Sequence, residues 1–346
     1  MATAQQIKAL IKSFSEGDET RFYRVALQLA ASEARRGHVN VARDLRELVD
    51  DARSKNQLVE RPRGPVPITQ PRGELEGILT ASFPKVRLTQ MVLSEEVERS
   101  LRRLLAEHRK EQKLREHGLR PRRKILLVGP PGTGKTMTAR AIAGELSLPL
   151  FVVRLEGLIT RFMGETAAKL ALVFEAMTKQ RGIYLFDEFD SIGSHRGATN
   201  DVGEIRRVLN SFLQFIEADQ SNSITIAATN HRQLLDYALF RRFDDVIRYD
   251  LPNKEQVVET LVEYLVSFQV EEIDWSDVAE QAIGLSYAEI VRACEDAAKD
   301  MILADEESVS KQRLVEAIDA RKRAYLENAR RNSRARSASQ LKTTRC

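Results

Sequence analysis

The sequence predicts an α/β chain: a doubly wound parallel sheet, preceded by a helical bundle and followed by an all-helical region. At 346 residues it is long enough for two or three compact units. Short apolar runs alternate with helical patterns in the middle of the chain, as in a parallel sheet with helices on both faces. After Pro252 only helical patterns follow. The predicted strands are residues 124–128, 150–154, 182–187, 223–229 and 246–249.

The region before the sheet predicts three amphipathic helices over residues 4–54. In the first helix, the apolar side chains from Ile7 to Phe14 recur at the i, i+3, i+4, i+7 spacing of one helical face. Helices this short cannot each bury an apolar stripe alone, so we expect them to form a small bundle. Five of the ten prolines lie between Pro62 and Pro84, and this density blocks helix formation and predicts an extended linker.

Composition excludes several classes of protein. No apolar run approaches the roughly 20 residues that a membrane helix needs, and the N-terminus lacks the layout of a secretory signal. The two cysteines, Cys294 and Cys346, make no disulfide framework and no metal site. We therefore expect a cytoplasmic protein that does not enter a membrane. Residues 321–346 hold nine basic side chains against one acid, so the net charge of +4 comes from this tail.

A phosphate-binding loop follows the first predicted strand and precedes a helix, which is the context that the G-x-x-x-x-G-K-[ST] pattern requires. Backbone N–H groups of such a loop point at phosphates, Lys135 would neutralise the terminal phosphates of ATP, and the Thr136 hydroxyl would bind Mg²⁺. The loop residues are Gly129, Pro130, Pro131, Gly132, Thr133, Gly134, Lys135 and Thr136.

Two acids end the predicted strand 182–187 and its turn. Asp187 at the strand tip is the expected second Mg²⁺ ligand, and Glu188 is the expected general base that polarises the attacking water.

These motifs, with three further segments, resemble the AAA ATPases, in the clade of katanin, spastin and the membrane zinc-protease unfoldases. The resemblance covers about residues 90–325 and implies a P-loop AAA+ fold with a small helical lid domain. Segment 227–230 looks like the sensor-1 segment, which implies that Asn230 helps to position the water. Segment 235–244 is similar to the second region of homology and implies Arg241 and Arg242 as arginine fingers. Segment 284–290 looks like the adenine-side turn, with Gly284 and Ala288 at the nucleotide.

The finger arginines lie beyond sensor 1 and cannot easily fold back to their own phosphates. They therefore imply a ring, which in this family is a homo-hexamer. The resemblance also implies a first pore loop at Arg161, Phe162 and Met163 that grips an unfolded protein substrate. The alternative is that Phe162 and Met163 merely pack beneath a loop.

The sequence patterns and the resemblance together predict five segments. They are a bundle at 1–55 that recruits a substrate or partner, a Pro-rich linker at 56–88, the large ATPase domain at 89–251, the small helical lid at 252–327 and a basic disordered tail at 328–346.

No two of the five histidines have the i, i+4 spacing of an H-E-x-x-H zinc site, so the chain is not expected to be its own protease. The leading interpretation is an ATP-driven ring that unfolds, threads or disassembles proteins, with a separately encoded protease as an optional partner. The alternative is a regulatory or scaffolding switch that assembles on a protein or, through the tail, on nucleic acid. The tail lacks interleaved aromatic residues, which disfavours nucleic acid without excluding it.

Overall fold

The computed structural model describes residues 4–16, 19–35, 37–59, 71, 73–154, 158, 163–188, 201–230 and 240–324. Within these ranges the chain divides into two compact units. One is drawn from Met1–Asp51 and Leu251–Cys346, and the other from Ala52–Asp250. The predicted tail, and residues 60–70 and 72 of the predicted linker, lie outside the described residues.

The second unit is built on a six-stranded sheet whose strand order is β1-β3-β4-β5-β2-β6. Every neighbouring pair is parallel except β1 with β3. The strands are β1 (Leu79–Ser82), β2 (Lys124–Val128), β3 (Leu150–Val153), β4 (Ile183–Phe186), β5 (Ile224–Thr229) and β6 (Asp245–Arg248). The doubly wound α/β fold and the five predicted parallel strands are confirmed.

Helices occupy both faces of this sheet and make up most of the other unit. In the sheet unit they are α4 (Glu95–Arg109), α5 (Glu111–Glu116), α6 (Lys135–Leu146), α7 (Met163–Lys179) and α8 (Asp201–Ala218). In the helical unit they are α1 (Ala4–Glu16), α2 (Glu19–Arg35), most of α3 (Val39–Val59), α9 (Lys254–Leu265), α10 (Trp275–Ala282) and α11 (Tyr287–Leu303). Residues 311–324 are also helical. No helix in the described ranges is long and apolar enough to cross a membrane.

The inner strands β2, β3, β4 and β5 bury side chains on both faces, because successive residues of a strand point to opposite sides. Ile125 and Leu127 of β2 lie in a core that α4 and α6 cover. Leu126 and Val128 lie in a second core that α7 and α8 cover. A strand buried on both faces appears in the sequence as a continuous apolar run, and this is why the parallel strands were predictable.

The expected Pro-rich linker contains one element that its composition did not predict. Strand β1 lies between Pro71 and Pro84 and pairs antiparallel with β3 at the edge of the sheet. Ile78 and Leu79 are buried, at 2% and 4% exposure. Proline is tolerated beside an edge strand because one side of that strand makes no ladder hydrogen bonds. Part of the predicted linker therefore belongs to the six-stranded sheet.

Helix α1 does not pack as the sequence predicts. Ile7, Ile11 and Phe14 of the predicted apolar stripe are 47%, 63% and 77% exposed, whereas Ala9 and Ser13 are buried. Small side chains at Ala9 and Ser13 are one helical turn apart, so they share a face. The stripe from Ile7 to Phe14 is thus an exposed surface of the described bundle.

The N-terminal helices contact the C-terminal helices within their unit. Arg21 of α2 forms an ion pair with Glu263 of α9 at 2.7 Å. Arg24 lies over the ring of Tyr264, 5.3 Å from its centroid, and the Tyr264 hydroxyl donates a hydrogen bond to Glu295 at 2.6 Å. The bundle is therefore joined to the C-terminal helices by polar and cation–π contacts.

Candidate nucleotide site

Three of the predicted site segments meet at the carboxyl ends of the parallel strands, which we call the carboxyl edge of the sheet. Gly129 follows β2, Asp187 follows β4 and Asn230 follows β5. These strands are neighbours in the order β4-β5-β2 and all run parallel. Their carboxyl ends therefore lie side by side, and this is where parallel α/β sheets bind ligands.

The phosphate loop wraps the start of α6. Gly134 has φ +98°, a left-handed conformation that favours glycine, and α6 begins at Lys135. The Lys135 side chain is buried, and its Nζ donates hydrogen bonds to the carbonyl oxygens of Gly129 and Pro130, both at 2.7 Å. A cation enclosed by the loop at the positive end of a helix fits an anionic phosphate.

Tyr249, a residue that sequence reasoning missed, supports this loop from beneath. Its backbone N–H donates to Val128 O at 2.8 Å, and its hydroxyl shares a 2.6 Å hydrogen bond with Thr138 Oγ1. A Cβ on Gly129 would lie only 2.3 Å from the Tyr249 carbonyl oxygen, so only glycine fits there. Burial raises the pKa of Tyr249 far above its ordinary value. No local sequence pattern identifies this tyrosine, because the order of the strands in the sheet brings it into contact with the loop.

The two predicted metal ligands are in direct contact. Thr136 Oγ1 donates a hydrogen bond to Asp187 Oδ2 at 2.6 Å. Mg²⁺ prefers oxygen ligands and usually takes one or two from protein side chains, with phosphates and waters completing its shell. A hydroxyl and a carboxylate held together beside the phosphate loop fit this requirement.

The predicted base, Glu188, directly follows Asp187 in a strained turn. Its φ of +48° is left-handed, which is uncommon for a residue with a side chain. Its backbone N–H donates to Asp187 Oδ1 at 2.9 Å, and its side chain is exposed. The turn thus fixes the backbone while the carboxylate faces solvent, where a water would enter.

The predicted sensor, Asn230, is tied to the same loop through the neighbouring residue. Gly129 N–H donates to the carbonyl oxygen of Thr229 at 3.2 Å, and Asn230 follows half-buried at the strand end. The structure therefore brings the Asn230 backbone to the start of the phosphate loop.

The two predicted finger arginines lie at the amino ends of the parallel strands, which we call the amino edge of the sheet. They precede β6, which runs parallel to β2 with Asp245 opposite Ile125. Arg241 and Arg242 are thus beyond the amino end of β2, whereas the phosphate loop follows its carboxyl end. The length of β2 alone separates them by about 13 Å at the usual rise of about 3.3 Å per residue.

Other predicted site residues are not joined to this site by the structure. Gly284, with φ +92°, and Ala288, near the start of α11, belong to the helical unit, so their contact with a nucleotide stays a prediction. Arg161 and Phe162 lie outside the described residues. Met163 begins α7, and its side chain is likewise not described.

Within the described ranges, no group of three or more His, Cys, Asp or Glu side chains could hold a metal ion.

Comparison with known proteins agrees with this geometry. Residues 125–251 match the ATPase family associated with various cellular activities (AAA). An uncharacterised AAA family ATPase of Sinorhizobium fredii is 34% identical over 328 residues, covering 94% of this chain and 97% of the relative. ATP-dependent zinc metalloproteases FtsH are also similar. The one from Helicobacter felis is 30% identical over 71% of this chain, and the one from Cupriavidus metallidurans 38% over 54%. The matches span only 40% and 30% of those two relatives. The chain belongs to the AAA family of ATPases.

Proposed function

We propose that this protein hydrolyses ATP with Mg²⁺ as a subunit of a hexameric ring that unfolds, threads or disassembles protein substrates. The observation that carries the ATPase part is the contact of Thr136 with Asp187 at 2.6 Å, beside a loop that encloses the Lys135 ammonium group. This arrangement supplies the cation, the metal ligands and the helix terminus that bind a nucleoside triphosphate.

The residues of the site divide the chemistry among them. Lys135 and the N-terminus of α6 would bind the phosphates, and Thr136 and Asp187 would hold Mg²⁺, which supplies charge neutralisation at the phosphates when bound. Glu188 would take the proton of the attacking water, and Asn230 would orient that water. The exposed carboxylate of Glu188 next to the Asp187 turn supports this role.

Assembly into a ring is supported by the position of the arginines. Arg241 and Arg242 lie at the amino edge of the sheet, about 13 Å or more from the phosphate loop of their own subunit. A hydrogen bond needs an approach of about 3 Å, so these side chains would serve the nucleotide of a neighbouring subunit.

The substrate is proposed from the pore-loop residues Arg161, Phe162 and Met163 and from the FtsH relatives, whose name describes an ATP-dependent protease. An aromatic side chain grips extended polypeptide without sequence preference. A protease, if one takes part, would be a separate protein, because this sequence holds no H-E-x-x-H motif. The N-terminal bundle, with its exposed stripe from Ile7 to Phe14, would recruit the substrate or partner.

The test is a Phe162→Ala variant, assayed for melting temperature, ATPase rate and remodelling of a folded model substrate. If Phe162 grips polypeptide, remodelling is lost while ATP hydrolysis and stability are kept. Phe83→Ala is the matched control, because Phe83 is an exposed phenylalanine of the same unit, at 57% exposure.

A stable Phe162→Ala protein with full remodelling would contradict threading and favour the regulatory switch. A loss of stability together with every activity would instead identify Phe162 as a packing residue, since buried phenylalanine truncations cost about 3–5 kcal/mol. A Lys135→Ala variant that binds ATP like the wild type would contradict the ATPase assignment itself.

A further inference from the structure

The arginine pair lies on a turn that two aromatic side chains anchor. Phe243 is buried, and Phe240 packs against the same core, which α8 lines with Phe212 and Ile216. The turn is closed by a hydrogen bond from Phe243 N–H to Phe240 O at 3.4 Å. The two residues between these anchors are the arginines, so the backbone position of both is set by the core beneath α8.

Arg242 is also held by its side chain. Arg242 Nε donates a hydrogen bond to Glu217 Oε1 at 2.6 Å, and Glu217 lies in the last turn of α8. The Arg242 side chain is 28% exposed and that of Glu217 is 55% exposed. Contact through Nε occupies one edge of the planar guanidinium and leaves the Nη1 and Nη2 donors at the other end.

This geometry suits a group that must meet phosphate oxygens. A guanidinium binds phosphate through its forked N–H donors, and it does so best when its plane is already oriented. Glu217 fixes that plane from behind, relative to a helix that belongs to the rigid core. A flexible surface arginine would lose more side-chain entropy on engaging the same oxygens.

We propose that Glu217 is a positioning residue: its carboxylate orients Arg242 so that the Nη donors reach the nucleotide phosphates of a neighbouring subunit. The inference rests on the proposed ring. Loss of an arginine finger lowers kcat by about 10³-fold or more. Exposed ion pairs are worth at most about 1 kcal/mol, so loss of Glu217 should cost only about two- to five-fold in kcat. The nucleotide affinity of the subunit's own site should not change, because the finger acts on the transition state in the adjacent site.

The experiment measures kcat, KM for ATP and melting temperature for Glu217→Gln in three backgrounds: wild type, Arg242→Ala and Arg241→Ala. Glutamine keeps the size of the side chain and removes the charge. We expect a two- to five-fold lower kcat with unchanged KM and melting temperature in the wild-type background. We expect no further loss with Arg242→Ala, because the partner is already gone, and the same proportional loss with Arg241→Ala. The low hydrolysis rates of the arginine variants are measured in single-turnover experiments with excess protein.

The matched control is Glu175→Gln, because the Glu175 side chain is 56% exposed, close to that of Glu217, and pairs with Lys179 on α7; this variant should leave kcat unchanged. An unchanged kcat in Glu217→Gln would overturn the proposal, as would an equal loss in both arginine backgrounds or a fall in melting temperature alone.

A separate experiment tests the proposed ring. Arg242→Ala subunits keep an intact phosphate loop, and Lys135→Ala subunits keep intact arginines, so a mixture should recover hydrolysis above either parent. If the mixture recovers nothing, the proposed trans-acting ring fails. If it recovers and Glu217→Gln behaves like the control, only the role of Glu217 fails.

Discussion

The two edges of the sheet use charge in opposite ways. At the amino edge, charged groups neutralise one another within the chain: Arg122 pairs with both Glu107 and Asp245, and Arg123 approaches Asp219. At the carboxyl edge, Lys135 donates to uncharged loop carbonyls. The ion pairs of Arg122 and Arg123 at the amino edge thus stabilise the subunit, whereas the cation at the carboxyl edge lies in a loop that fits a phosphate. Changes at the carboxyl edge should therefore alter nucleotide chemistry in the subunit's own site, and changes near these amino-edge ion pairs, unlike changes at Arg242 and Glu217, should alter stability.

The largest expected effect is at the carboxyl edge, in Glu188→Gln. A general base contributes about 10²–10⁴-fold, so kcat for ATP should fall by that factor. Binding of ATP and Mg²⁺ should persist because Thr136 and Asp187 are intact. Steady-state hydrolysis and nucleotide titration of the same preparation test this expectation. Turnover at the wild-type rate would place the base elsewhere.

The second-largest effect is expected for Gly129→Ala, also at the carboxyl edge. Its Cβ would lie 2.3 Å from the Tyr249 carbonyl oxygen and 2.7 Å from Tyr249 Cβ, so the loop must move away from β6. Overpacking of this kind costs about 1–3 kcal/mol, and we expect ATP affinity to fall by about 10-fold or more. Gly77→Ala is the control, because a Cβ there meets nothing within 4 Å. Equal ATP affinity in both variants would show that Tyr249 does not constrain the loop.

At the amino edge, Asp244→Ala should lower stability without changing nucleotide affinity. Asp244 Oδ2 accepts hydrogen bonds from the backbone N–H groups of Arg123 and Lys124, at 2.7 and 2.9 Å. Because these groups are exposed, we expect a loss of about 1 kcal/mol in the free energy of unfolding. Urea denaturation measures it. A weakened ATP affinity at unchanged stability would break the distinction between the edges.

The smallest effect should come from the pH response of His108, also at the amino edge. Burial lowers the pKa of His108, although its hydrogen bond with Arg122 O at 2.7 Å and the nearby Glu111 and Glu107 oppose this shift. The folded state therefore binds a proton less readily than the unfolded state, whose histidine titrates near about 6.5. Its stabilising contribution is present above that pH and is lost as the pH falls below it.

The check is the urea midpoint at pH 7 and pH 5 for the wild type and for His108→Gln, which keeps a donor for Arg122 O and does not titrate. The wild type should lose more stability than the variant on acidification. Equal losses in the two proteins would mean that His108 is not responsible.

Local patterns predicted much of this protein. The four inner strands β2, β3, β4 and β5 were predictable because burial on both faces demands continuous apolar runs. The phosphate loop was predictable because its glycine and lysine spacing is required by contact with phosphate. The start of α4 also depends on residues that are close together in the chain. Ser94 precedes acids in the first turn, and its side chain accepts a hydrogen bond from Val97 N–H.

Packing of the N-terminal helices was less predictable. The spacing from Ile7 to Phe14 indicated a buried stripe, yet the structure buries Ala9 and Ser13 instead. Periodicity identifies a helix and its faces, but which face is covered depends on the neighbouring helices. The edge strand β1 escaped prediction for a related reason: its four residues are apolar enough only on one side, and their pairing partner is supplied by β3, far along the chain.

The sequence by itself determined the element types, the phosphate loop and the acids that follow β4, because each depends on residues close together in the chain. Only the tertiary structure decided that β2 lies between β5 and β6, and this one choice has several consequences. It brings Gly129 beside Thr229, places Tyr249 beneath the loop and sends the arginines to the far edge, where Glu217 holds Arg242. Such contacts join residues 25 to more than 100 positions apart, so strand order, and not local spacing, selects them.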